Sequence, residues 1–161
     1  MVESLQRNIP TFGEFQVVYK RNPKVKQRDL PQIKTSLAFF EQILKAMEGH
    51  EEILFTKEVF MAFYLSRANR ILKVSVISVG SVNAAVVDKG QILREATLCN
   101  ASCFVVWHNH PSGQIRPSNN DIKVSNELKE AARYCDLVLL DSLIVDPELK
   151  NFTSLADEGV L

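Results

Sequence analysis

The sequence predicts an α+β fold, a mixed β-sheet flanked by helices. Three observations carry this. The runs EVFMAFYLS, CFVVW and LVLLDSLIV have the length and the aromatic or β-branched content of strands. Three other segments repeat apolar residues at helical spacing, each behind a hydroxyl or acidic residue suited to cap a helix. The two kinds of element do not alternate as regular βαβ units, so a mixed sheet is expected and not an all-parallel one.

In order along the chain, residues 1–35 read as an N-terminal arm, with one strand in EFQVVYK (14–20) followed by a basic, proline-containing loop. Residues 36–161 read as the domain. A helix starts at Thr35 or Ser36, repeats apolar residues at helical spacing in Leu37, Phe40, Ile43, Leu44 and Met47, and stops near Glu48 before Gly49. Two strands follow, 58–66 and 71–79, joined by an RANR turn; in the second, Leu72, Val74 and Val76 alternate with Lys73 and Ser75. AAVV (84–87) predicts a short strand. Asp88 followed by Gln91 resembles a capping box, opening a helix to about Asn100. CFVVW (103–107) is a buried strand, Ser118 opens a long helix to about Tyr134, and 137–145 is another buried strand. Asp146-Pro147 turns the chain, and FTSL pairs back as a hairpin.

Composition narrows the function classes. A chain of 161 residues fits one domain, and at that size roughly 70% of the unfolded surface can be buried without staples. Nineteen Lys+Arg balance nineteen Asp+Glu, which weighs against a strongly basic nucleic-acid binder. One local excess remains: KRNPKVKQR, from Lys20 to Arg28, holds five positive charges and no negative one. It is a candidate for weak DNA contact, against the plainer reading of a solvated arm. Cys99, Cys103 and Cys135 are odd in number and form no C-x-x-C pair, which fits a reducing compartment. Cys99 and Cys103 bracket the start of an apolar strand and read as buried structural thiols. The sequence shows no signal-type apolar run and no stretch long enough to span a membrane. A cytoplasmic protein is expected.

The chemistry concentrates in VVWHNHPSGQIRPSNND, 105–121. His108 and His110 stand at i and i+2, so an extended backbone turns both imidazoles to one face. They lie where a buried strand leaves the sheet for a loop shaped by Pro111, Gly113 and Pro117. Asp121 falls in the first turn of the next helix, where its carboxylate can face back toward them. Two neutral imidazoles and a carboxylate are a common catalytic zinc set with one position left open. Ser118 and Asp121 also read as a helix N-cap and an acid at the positive end of the helix dipole. Trp107 reads as core packing beneath the site, and His50 as a helix-end cation or a plain surface residue.

The string HNHP with Ser118 and Asp121 at these spacings resembles the JAMM (MPN-domain) metalloproteases. The fuller HNHPSG and RPSNND, with GSVNAAVVD, DSLIV and FTSLADEGVL, is similar to the RadC branch of that superfamily, over roughly 37–161. The short form, without the helix-hairpin-helix region common in RadC proteins, is similar to RadC-like proteins of mobile elements and phages. The resemblance implies a JAB1/MPN-like, cytidine-deaminase-like fold. It implies Zn²⁺ held by His108, His110 and Asp121, with Ser118 stabilising the oxyanion. It also implies a glutamate general base on the first core strand, for which Glu58 is the best match and Glu95 the competitor. Glu95 belongs to a helix on which surface exposure is expected. The implied reaction is hydrolysis of a peptide or isopeptide bond by zinc-activated water. One departure stands out: the family's strand after the long helix usually reads Asp-His, and this chain has Asp141-Ser142.

Three other readings compete. A nuclease of the HNH type places its histidines far apart around a ββα unit, so the letters here coincide by chance. A non-catalytic RadC-like scaffold would bind DNA or a repair or replication partner. A pseudoenzyme would keep fold and metal without turnover. Oligomeric state is open.

Overall fold

The computed structural model describes residues 24–80 and 87–161. Five strands among them form one sheet: β1 (Glu58–Leu65), β2 (Ile71–Gly80), β3 (Cys103–Asn109), β4 (Val138–Val145) and β5 (Phe152–Ser154). Their order across the sheet is β2-β1-β3-β4-β5. β3 and β4 run parallel; the other neighbouring pairs are antiparallel, so the sheet is mixed, as the irregular element order predicts. The α-helices are α1 (Ser36–Met47), α2 (Lys89–Leu98) and α3 (Asn119–Arg133), with short 3₁₀ turns at Gln27–Asp29 and Glu51–Phe55.

Strand alternation builds two cores. Val59, Met61, Phe63 and Leu65 of β1 point to one side, where they meet Phe39 and Ile43 of α1. Phe60, Ala62 and Tyr64 point to the other, where Ile92 and Ala96 of α2 and Leu128 and Ala132 of α3 cover them. With helices on both faces, the central strands have no polar side to show, which is why EVFMAFYL and CFVVW read as unbroken apolar runs. Trp107 is fully buried in the first core, beneath the site and on the far face of the sheet from it. Cys99 and Cys103 are buried free thiols, and Cys135 is exposed.

Helix starts follow their caps. Thr35 Oγ1 accepts from the Ala38 amide, and α1 gives way to Gly49 at φ +77, a conformation that favours glycine. Asp88 accepts from the Gln91 amide, but Gln91 Nε2 reaches Glu95 and not back to the cap, so the expected capping box is only half formed. Two further expectations need adjusting. β3 does not stop at Trp107 but continues through His108 and Asn109, because its ladder with β4 extends to Asn109 opposite Val145. On the edge strand β2 the apolar side stays open, with Val76 52% exposed, while Lys73 and Ser75 face α2. His50 is exposed, in keeping with its reading as a plain surface residue, and supplies no side-chain cap to the turn Glu51–Phe55 that follows it. The expected hairpin exists as β4–β5, and Asp146 closes its turn by accepting from the Lys150 and Asn151 amides.

The strand expected at 14–20, residues 20–23 of the basic stretch and residues 84–86 of AAVV lie outside the described residues. No helix among the described residues is long and apolar enough to cross a membrane.

Candidate metal centre

β3 delivers His108 on the side of the sheet covered by α2 and α3, directly across the ladder from Phe60. The Phe60 ring stacks on the His108 imidazole, with centroids 5.8 Å apart and planes 10° from parallel. That contact fixes the ring, and His108 is only 3% exposed. Two residues on, the chain turns and His110 stays half-buried at the rim. Its Nδ1 lies 2.5 Å from the Gln114 carbonyl oxygen. A carbonyl only accepts, so Nδ1 carries the hydrogen and neutral His110 presents a bare lone pair at Nε2.

The third member comes from α3. Ser118 caps this helix: its Oγ accepts from the Asp121 amide at 3.2 Å, and its own amide donates to Asp121 Oδ2 at 2.7 Å. This reciprocal box turns the carboxylate back over the helix N-terminus and toward the histidines. His108 Nε2 lies 3.2 Å from Asp121 Oδ1, and His110 Nε2 lies 3.4 Å from Oδ2. The two Nε2 atoms are 3.0 Å apart. For a tetrahedral ion with ligands at about 2.05 Å, the edges of the tetrahedron are ~3.3 Å. The two Nε2 atoms and the nearer carboxylate oxygen of each have separations of that order, each imidazole facing a different oxygen of Asp121, and the donor set suits zinc chemically. Among the described residues these three are the group of His, Cys, Asp and Glu able to hold a metal ion.

The electrostatics agree with a cation site. Burial works to raise the Asp121 carboxyl, but hydrogen bonds from His108 and His110 outweigh it and hold the group well below the usual carboxylate range. His110 is raised, chiefly by its bond to Asp121, with burial opposing and the Glu58 charge adding to the rise. Two imidazole nitrogens 3.0 Å apart must share a proton or a cation.

Glu58 opens β1 and shares the strand parity of Phe60, so it lines the same small cleft as His108, Asp121 and Ser125. Glu95 is elsewhere. It is tied to Lys73 and Ser75 of β2 and to Gln91, its side chain 19% exposed, which corrects the expectation of a free surface acid. Ser142, at the family's usual histidine position, is buried and receives the Ser125 hydroxyl at 3.1 Å. His108 Nδ1, also buried, has no hydrogen-bond partner among the described residues. Sequence reasoning passed over Asn109, between the two histidines. Its side chain points to the opposite face, is fully buried and makes three hydrogen bonds to the chain around Glu58. The one signal for it was a polar residue inside a buried strand.

The chain has relatives that share this stretch. A UPF0758 protein of Streptococcus suis is 38% identical over 111 residues, covering 69% of this chain and 43% of that protein. A UPF0758 protein of Methanosarcina acetivorans is 38% identical over 103 residues, 64% of this chain and 44% of its own length. The UPF0758 protein YsxA of Bacillus subtilis is 35% identical over 106 residues, 66% and 45% respectively. The chain thus spans less than half the length of these relatives. The RadC-like JAB domain matches residues 33–160, which takes in all five strands, the three helices and the whole His-His-Asp group. On that match, the chain belongs to the RadC-like JAB domain family.

Proposed function

We propose that the centre holds zinc and that the protein is a JAMM-type metallohydrolase acting on a peptide or isopeptide amide bond. The observation that carries this reading is the convergence of His108 Nε2, His110 Nε2 and the Asp121 carboxylate, whose ligand atoms all lie within 4.8 Å of one another. The Glu58 carboxylate belongs to the same cleft.

Held by His108, His110 and Asp121, zinc would supply Lewis acidity, polarising the scissile carbonyl and making a water acidic enough to deprotonate near neutral pH. The chain's own residues do the rest. His110 is kept in the metal-binding tautomer by the Gln114 carbonyl, and Asp121 is kept ionised by its two imidazoles and the helix N-terminus. Glu58 takes a proton from the attacking water and returns it to the leaving amine. The Ser118 oxygen accepts from the Asp121 amide, which leaves its hydroxyl hydrogen to donate to the oxygen that gains negative charge. Water attacks directly, so no serine or cysteine nucleophile is required.

Elemental analysis tests the metal. About one zinc per chain is expected in the wild type and none in His110→Ala; retention of stoichiometric zinc by that variant would mean the ligands are misassigned. Against a peptide and isopeptide library, Glu58→Gln should still take up one zinc per chain when zinc is in excess and lose hydrolysis. Loss of hydrolysis in Glu95→Gln instead would move the base there.

A second reading, a non-catalytic RadC-like scaffold that binds DNA or a repair partner, is favoured by Ser142 and by the unpartnered Nδ1 of His108. Binding through Lys20–Arg28 would give an affinity that falls steeply with salt. No DNA binding at low salt would dismiss the DNA form of this reading.

A further inference from the structure

Glu58 stands one step beyond the part of the sheet that ought to hold it. The β1–β3 ladder begins at Phe60 opposite His108, so neither Glu58 nor Val59 has a backbone partner on β3. On the other side both pair with β2 only, opposite Gly80 and Val79 at the end of that strand. Yet a general base must keep its distance from the attacking water to within a fraction of an ångström.

The Asn109 side chain takes the place of the missing ladder. Its Oδ1 accepts from the Val59 amide at 2.8 Å. Its Nδ2 donates to the Leu54 carbonyl at 2.8 Å and to the Lys57 carbonyl at 3.0 Å. These three backbone groups straddle Glu58: two precede it and one follows it. The amide is fully buried, so no water can substitute for it. The backbone of Asn109 joins His108 to His110, and its side chain grips the chain on both sides of Glu58. One residue therefore ties two metal ligands and the acid to a single rigid body.

We propose that Asn109 is the positioning residue for Glu58, setting its carboxylate against the His108–His110 pair. This rests on the reading of Glu58 as an acid that works beside the metal. A carboxylate held next to a divalent cation strengthens its binding, so Glu58→Gln should weaken zinc affinity about 10-fold, the low end of what partners outside the ligand set contribute.

A double-mutant cycle on zinc affinity, measured by competition with a chromogenic chelator, tests the proposal. The set is wild type, Glu58→Gln, Asn109→Leu and Asn109→Leu/Glu58→Gln. Leucine keeps the branched heavy-atom framework, though with more bulk, and removes all three hydrogen bonds; Asn109→Ser serves if the leucine variant does not fold. Expected: the Asn109 variant still takes one zinc, binds it as weakly as Glu58→Gln, and the double variant is no weaker than Glu58→Gln. A merely structural role, in which the substitution disturbs the end of β3 and its histidines, would not vanish when Glu58 is already replaced. Full additivity would therefore overturn the proposal, as would wild-type affinity in the Asn109 variant beside a weakened Glu58→Gln. Wild-type affinity in Glu58→Gln would instead remove Glu58 from the site, and no zinc binding by any form would remove the metal centre. The four patterns are distinct.

Discussion

Ser118 holds two positions in one side chain, and they can be separated by substitution. As the α3 cap, its oxygen satisfies the Asp121 amide. Losing that bond to alanine costs about 1 kcal/mol. As an oxyanion donor its hydroxyl hydrogen matters, and removing one such donor typically costs 10²–10³ in rate. Glycine at this cap costs only a few tenths of a kcal/mol and carries no side-chain donor. Ser118→Gly should therefore nearly keep the wild-type melting temperature and keep the zinc, yet lose hydrolysis about as far as Ser118→Ala; unchanged turnover in both would restrict Ser118 to its cap. The residues of the candidate site differ in how readable they were. His108 and His110 share a face by strand parity, and Asp121 follows from the helix start at Ser118, all within one short stretch of sequence. The Asn109 clamp reaches partners 50 to 55 residues away, and nothing local announces it. The Gln114 carbonyl that sets the His110 tautomer is backbone, which residue identity does not encode.

Elements raise a different issue, namely which face of each one is buried. α2 was readable from its cap and apolar spacing, but its contact with β2 runs through polar groups. Burial works to raise the Glu95 carboxyl, but hydrogen bonds from Lys73, Ser75 and Gln91 outweigh it and bring the group down to about 2 from 4.5. A carboxyl lowered by folding contributes stability that is fully present above its unfolded value and is lost as pH falls through the folded one. The window is therefore from about pH 4.5 down to about pH 2. The shift corresponds to roughly 3 kcal/mol at 1.36 per unit, and screening of the half-exposed Lys73 partner reduces it to about 1–2 kcal/mol. Glu95→Gln should lower stability by that amount at pH 7, with the gap from wild type closing toward pH 2. Urea midpoints across pH measure it, and a gap that is flat with pH would dissociate Glu95 from the α2–β2 contact. Alternation in β2 gave no hint of this arrangement, because an edge strand beside a polar helix face need not bury its apolar side.

At the scale of the whole molecule, the centre gathers the start of β1, the end of β3 and the first turn of α3. Strand order was not readable, since the β2-β1-β3-β4-β5 arrangement depends on which helices cover which face, while the mixed class followed from irregular element order. A metal ion held by this group would be a cross-link between β3 and α3. His108 and His110 lie nitrogen to nitrogen at 3.0 Å, and the half-buried Asp121 carboxylate is held ionised chiefly by its hydrogen bonds to them. An ion that binds the folded chain and not the unfolded one stabilises it by mass action, by about 2.7 kcal/mol at a hundredfold excess over Kd. For a domain of this size each kcal/mol moves the melting temperature by about 2–4 °C. Protein stripped with a chelator should therefore melt about 5–10 °C lower than the same protein given zinc, and the gain should reverse with further chelator. His110→Ala should melt at one temperature with or without zinc. Because imidazole must be neutral to bind, and folding raises His110 above its ordinary value, the zinc-dependent gain should shrink as pH falls through that raised value. If the stripped wild type gains nothing from zinc at neutral pH, the convergence of these three side chains is a hydrogen-bonded tie between β3 and α3. The search for function then moves from a hydrolytic substrate to a binding partner.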